Sequence, residues 1–250
     1  MDSCTLQYLP ISLDILMFGT FATSYSISSV SGNVSVLFPY ISETGTLVPE
    51  SCVFGQLLNL CACLGALCVY VWYLHQMYRI EHNECIRPHH IFARITLAVG
   101  MLSALGISIV ANFQATSVLS VHLLGAMLAF SGGNVYCILL AYSTRYHLGA
   151  PIWLWTLRSL LCFLSVIAHI LVPVFARLAG EMRLPPRKYE VNDEGYLFHA
   201  LSVTFEWVLA ASQMIFFLTM TYELRNFTMS SVKVRKTRFL ETPGKDTSPS

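Results

Sequence analysis

Five long apolar runs constrain this chain more than any motif does. They are Cys52 to Leu74, Ile95 to Phe113, Ser117 to Tyr142, Ser159 to Ala176 and Leu197 to Tyr222, the last interrupted by His199 and Glu206. About 20 apolar residues wound as an α-helix cross the roughly 30 Å of hydrocarbon in a bilayer. Only helices and closed barrels satisfy every backbone polar group there. A sixth run, about residues 9–30, is weaker, because Asp14 sits one turn inside it and Ser and Thr are frequent. A cleavable signal peptide is the rival reading of that run. Ser29 and Ser31 are spaced as at a cleavage site, but no Lys or Arg precedes the apolar stretch.

Composition agrees with lipid as the main solvent. The 250 residues are 55% hydrophobic and 12% charged, against about 25% charged for a soluble domain that must cover its surface. A net charge of +1, with no concentrated basic face, excludes nucleic acid as a partner. The expected fold is therefore all-α: a polytopic integral membrane protein, a six-transmembrane-helix bundle. Its spans fall at about residues 9–30, 52–74, 92–113, 117–142, 152–176 and 197–222. Residues 1–228 form one membrane domain and residues 229–250 a flexible tail without apolar periodicity.

Orientation follows from the basic residues, which stay cytosolic in short loops. Eleven of the 15 Lys and Arg fall on one side of a six-span arrangement: Arg79, Arg87, Arg94, Arg145, Arg158, Arg225, Lys233, Arg235, Lys236, Arg238 and Lys245. The other side holds Arg177, Arg183, Arg187 and Lys188 beside Glu181, Glu190, Asp193 and Glu194. Both termini are thus expected to be cytosolic. Asn33-Val34-Ser35 is then a glycosylation sequon on the luminal side, set close to the first span.

No phosphate-binding Gly loop, paired Cys-x-x-Cys, zinc helix or nucleophile elbow is present, so no catalytic residue, cofactor or metal is assigned. The ionisable residues inside the spans are more informative, because such groups cost several kcal/mol, as an order of magnitude, unless paired, neutralised or hydrated. His199, Glu206 and Gln213 recur every seven residues, a nearly straight stripe that should face the bundle. His122 lies at a similar depth on the fourth span, which places it to pair with Glu206, and Asn112 and Gln114 end the third span on the same side. This candidate cluster has two readings: a structural hydrogen-bonded network, or a site for a ligand, a lipid headgroup or a proton. Small residues at four-residue spacing, Gly100, Ala104 and Ser108 on the third span and Gly125, Ala129 and Gly133 on the fourth, suit close helix packing.

The first luminal loop carries Pro39, Tyr40, Ser42, Glu43 and Gly45, then Pro49 and Glu50, followed by Phe54-Gly55. Later come Ile109-Val110-Ala111-Asn112-Phe113-Gln114, then His122 with Gly125-Ala126, and then Tyr196, His199 and Glu206-Trp207. In order and spacing these resemble the DNA-damage-regulated autophagy modulator family, over about residues 37–230. The first span and the tail after about Val232 match it poorly.

The resemblance implies a six-helix, non-enzymatic protein of lysosomal and related endomembranes that promotes autophagy and is linked to cell-death control. Membrane lipids and other membrane or autophagy proteins would be its partners. Wider relatives add an alternative, a lipid-handling protein engaged in remodelling, flipping or lipid-kinase scaffolding, in Golgi and secretory membranes or at the plasma membrane. A small channel or transporter is a third class, disfavoured by the lack of an inverted repeat.

Overall fold

The structure is a computed structural model that describes residues 5–35, 39–82, 84–86, 89–180 and 192–228. Six long helices make up almost all of it: α1 (Tyr8–Val30), α2 (Glu50–Glu81), α3 (His90–Asn112), α4 (Leu119–Tyr146), α5 (Ile152–Ala179) and α6 (Tyr196–Leu218). A short α7 (Thr221–Leu224) follows, and a 3-10 turn (Ser42–Gly45) lies between α1 and α2. No named strand occurs among the described residues. The helix α2, with 32 residues, is about 48 Å long and outruns the hydrocarbon thickness.

Five helices, α2 to α6, are long and apolar enough to cross a membrane. The first helix is not among them, and its packing supplies the reason. Thr20, Ser24 and Ser28, one turn apart, are fully buried against the rest of the protein, while Ile15, Phe18 and Val30 point outward. Thr20 and Ser24 return hydrogen bonds to the carbonyls of Leu16 and Phe21, so their hydroxyls are satisfied without water. The polar residues that lower the hydropathy of α1 therefore form its interior face. The same inversion runs through the molecule, whose exposed surface carries Ile91, Leu105, Met127, Leu160 and Phe163.

Consecutive helices are neighbours, and α6 returns to α1 and α4, so the helices form a closed ring. Close approach depends on glycine at a few points. A Cβ on Gly106 would strike the backbone of Ala129, one on Gly125 would lie 2.6 Å from Ile109 Cγ2, and one on Gly55 would lie 2.8 Å from the Ala111 carbonyl oxygen. Helices without side chains at the contact can pack backbone to backbone. The Leu6 amide donates to the Phe227 carbonyl at 2.9 Å, and Thr5 bridges Thr228. Both ends of the described chain thus sit together at one end of the bundle, the terminal end. The opposite end, with the segment between α1 and α2, is the loop end.

Candidate functional site

At the loop end the segment from Pro39 to Thr46 is fastened across the ring. Glu206 on α6 accepts the Ile41 amide at 2.7 Å, and Trp207 Nε1 donates to the Pro39 carbonyl at 3.1 Å. The Tyr40 hydroxyl meets Ser202 Oγ at 2.7 Å, with the Tyr40 ring edge-on to His199. Glu43 accepts the Tyr40 amide and so holds the turn's own shape. On the α1 side, Ser24 and Thr44 hydroxyls meet at 2.9 Å. Gly45 lies against Phe54, where a Cβ would collide with the ring. Pro49 precedes α2, and Glu50, in the first turn, is fully buried. There Glu50 accepts from Asn33 Nδ2 at 2.6 Å and from Ser28 Oγ, near the positive end of the α2 dipole. Every residue singled out in this loop therefore touches α1, α2, α6 or the loop itself, except Ser42, which faces inward.

What Ser42 faces is a cavity of about 140 Å³ inside the ring. Leu13, Met17 and Phe21 of α1, Phe54 and Leu58 of α2, and Phe130 of α4 give it apolar walls, and His122, Glu206 and Gln213 reach it. The α6 stripe faces inward as its spacing required. The proposed pairing of His122 with Glu206 does not form: among the described residues no ion pair joins them. His122, buried, puts Nδ1 at 2.7 Å from the Phe113 carbonyl. A carbonyl only accepts, so that nitrogen carries the proton. Each side chain is taken by a backbone group at its own depth, which the helical spacing alone did not disclose.

The other cluster residues fall apart in the same way. Asn112 exchanges hydrogen bonds with Asn59 of α2 at 3.0 and 3.1 Å and donates to the Ser108 carbonyl, on an exposed part of the α2–α3 seam. Gln114 caps the turn into α4 through its backbone carbonyl, which accepts from Ser117 and Val118. His199 and Glu206 remain together through Tyr40 and the loop.

The terminal end holds a centre that the sequence did not reveal. Arg158 of α5, counted among the basic residues that set the cytosolic side, is fully buried. Its guanidinium grips Glu223 of α7 through two hydrogen bonds of 2.9 and 2.6 Å, and it donates to Thr144 and Thr219 as well. The rings of Trp72 and Phe216 lie 5.5 Å from it. Four elements meet there, α2, α4, α5 and the α6–α7 corner. Beside it, His75 packs between Trp72 and Phe227, and neither ring nitrogen has a hydrogen-bond partner among the described residues.

These features define a multi-pass helical membrane protein whose ring encloses an apolar cavity capped by a latched loop. The family model for the Frag1/DRAM/Sfk1/Cwh43P N-terminal domain matches residues 5–227, and the chain belongs to that family. It is similar to DNA damage-regulated autophagy modulator protein 2 of Rattus norvegicus, 33% identical over 90% of this chain and 85% of the relative. It is also similar to DNA damage-regulated autophagy modulator protein 1 of Homo sapiens, 32% identical over 90% of this chain and 93% of that protein. A shorter likeness, 43% identical over 51% of this chain and 53% of the relative, joins it to Modulator of macroautophagy TMEM150B-B of Xenopus laevis. No solved structure matches the chain.

Proposed function

We propose that the chain is a non-enzymatic membrane regulator of autophagy, with six spans, both termini in the cytosol and its working place at the lysosomal membrane. The observation that carries this reading is the match, over about nine-tenths of the chain, to proteins named as autophagy modulators. Support for the sixth span comes from α1, which completes the ring with its hydroxyls turned inward. The pairing of residues 5–6 with 227–228 supports an even number of crossings. Autophagic flux under starvation should fall in cells lacking the protein and recover on re-expression; unchanged flux would remove the reading. A tag at either terminus should be reached by antibody once the plasma membrane alone is permeabilised, and should colocalise with lysosomal markers. Golgi or plasma-membrane residence would replace the address but not the topology.

One structural observation favours a second reading, lipid handling. An apolar cavity lies inside a bundle whose surrounding solvent is hydrocarbon chains.

A further inference from the structure

We propose that Asn33 carries no glycan, although Asn33-Val34-Ser35 spells a sequon, and that its side-chain amide serves instead as a clasp on Glu50 that ties the end of α1 to the start of α2. The proposal uses the luminal placement of the loop end in the topology above, and it is independent of any role in autophagy or lipid handling.

The backbone places the amide. Helix α1 ends at Val30, and Gly32 follows with φ +69°, a left-handed conformation that glycine adopts without strain. The Gly32 amide then donates to the Ser29 carbonyl at 3.1 Å, and the Asn33 amide donates to the Ser28 carbonyl at 2.9 Å. This pair of bonds is the Schellman termination of a helix. It folds Asn33 back over the last turn of α1 instead of letting the chain run outward.

From that position Asn33 Nδ2 donates to Glu50 Oε1 at 2.6 Å, and the Ser28 hydroxyl reaches the same oxygen at 3.4 Å. Glu50 has no exposed surface, and its Oε2 has no partner among the described residues. A buried carboxyl group short of donors is costly, and the Asn33 amide supplies its shortest bond. Ser28 thus serves twice, its carbonyl holding the Asn33 backbone and its hydroxyl the Glu50 side chain. An aspartate at 33 would bring an acceptor where Glu50 needs a donor.

Two facts then weigh against the sequon. Glycan transfer takes Asn Nδ2 from an extended, exposed stretch held above the membrane. Before folding, Asn33 lies only three residues past the end of α1, about 10 Å of chain at most, which keeps it against the bilayer. After folding, Asn33 is half-buried and its Nδ2 is turned toward a carboxyl group with no exposed surface. Sequon and clasp compete for one nitrogen atom, and the geometry assigns it to Glu50.

The test uses the full-length protein expressed in mammalian cells. Peptide-N-glycosidase should leave its mobility unchanged. A sequon carried on a Gly-Ser insertion between Arg187 and Lys188, in the segment that joins α5 to α6 at the same end, should gain a glycan that the enzyme removes. A removable glycan on the wild-type chain that vanishes in Ser35→Ala would overturn the proposal. An insertion left bare would put the loop end in the cytosol, and would overturn the clasp as the reason for a bare Asn33. Exchange of the two groups reads the clasp itself. Asn33→Asp sets two carboxyl groups against each other, and at neutral pH it should lower the yield of folded protein at least about fivefold. Adding Glu50→Gln restores one donor facing one acceptor, and should bring the yield back to within about twofold of wild type. Neither variant keeps the sequon, so a lost glycan cannot account for the recovery. Normal folding of Asn33→Asp, or no recovery in the exchanged pair, would overturn the clasp.

Discussion

The loop end and the terminal end of the bundle solve the same problem with different chemistry. At the loop end, polar side chains of α6 bind backbone groups of an irregular segment: Glu206 the Ile41 amide, Trp207 the Pro39 carbonyl. At the terminal end a full charge is buried against its opposite, Arg158 on Glu223. Backbone groups that cannot reach water must be satisfied wherever the chain leaves the helix near lipid, so a non-helical loop needs acceptors and donors from the helices beneath it. A helix corner such as α6–α7 presents a different need, a fixed angle between elements, which a bidentate Arg–carboxylate contact sets by geometry. The loop end is thus a lid fitted by many modest bonds, and the terminal end a joint made by one strong one.

That contrast predicts unequal damage. Arg158→Met leaves Glu223 buried without its cation, and removal of one partner from a buried pair costs about 3–5 kcal/mol. Steady-state protein in the membrane should fall severely, and Glu223→Leu added to Arg158→Met should restore much of it, because the uncompensated charge is then gone. If the single variants accumulate normally, the terminal end is not the stronger joint.

Glu206→Ala should cost less, about 1–3 kcal/mol, the penalty of leaving the Ile41 amide unmet. Glu206→Gln keeps a carbonyl oxygen in place and should stay close to wild type in thermal stability. Limited proteolysis of protein in nanodiscs reads the loop directly: cleavage near Ser42 should rise in Glu206→Ala and not in Glu206→Gln. Equal protection in all three proteins would mean that Trp207, Ser202 and Thr44 hold the lid without the carboxylate.

The terminal end also contains a defect, and repairing it should help by a smaller amount. His75 is buried between two aromatic rings, with no partner for either ring nitrogen among the described residues. His75→Phe keeps the ring and removes the unmet polar atoms, and should stabilise the protein by about 1 kcal/mol. A lowered melting temperature would show that the imidazole has a bond that matters, most simply to water.

How much of this was legible in the sequence differs between the ends. Helices α2 to α5 announced themselves through uninterrupted apolar runs, and the α6 stripe through its spacing of seven. The loop end could be read as far as its membership, since Pro39 to Glu50 stood out as a pattern, but not its partners. Contacts such as Ile41 to Glu206 join residues far apart in the chain, and no periodicity encodes them. At the terminal end the reading failed for a physical reason. Arg158 and Glu223 each sit near the end of a span, where a charge ordinarily reaches the interface, and only the folded ring turns both inward. The polar face of α1 only weakened its signal, because average hydropathy does not distinguish hydroxyls facing lipid from hydroxyls facing protein.

The smallest expected effect concerns the pair that spacing suggested and the structure separates. His122 and Glu206 border the same cavity, yet one holds the Phe113 carbonyl and the other the Ile41 amide. Residues that share no partner have additive effects to within about 0.3–0.5 kcal/mol, whereas a contacting pair couples by about 0.5–3 kcal/mol. A double-mutant cycle with His122→Ala and Glu206→Ala, scored by thermal unfolding in nanodiscs, should therefore close near zero even though each single change is destabilising. The loss at His122 would come from the turn between α3 and α4, and the loss at Glu206 from the lid. A coupling above about 1 kcal/mol would show that the two do act together. The loop end would then contain a charge pair of its own, and the contrast with the terminal end would narrow to one of degree.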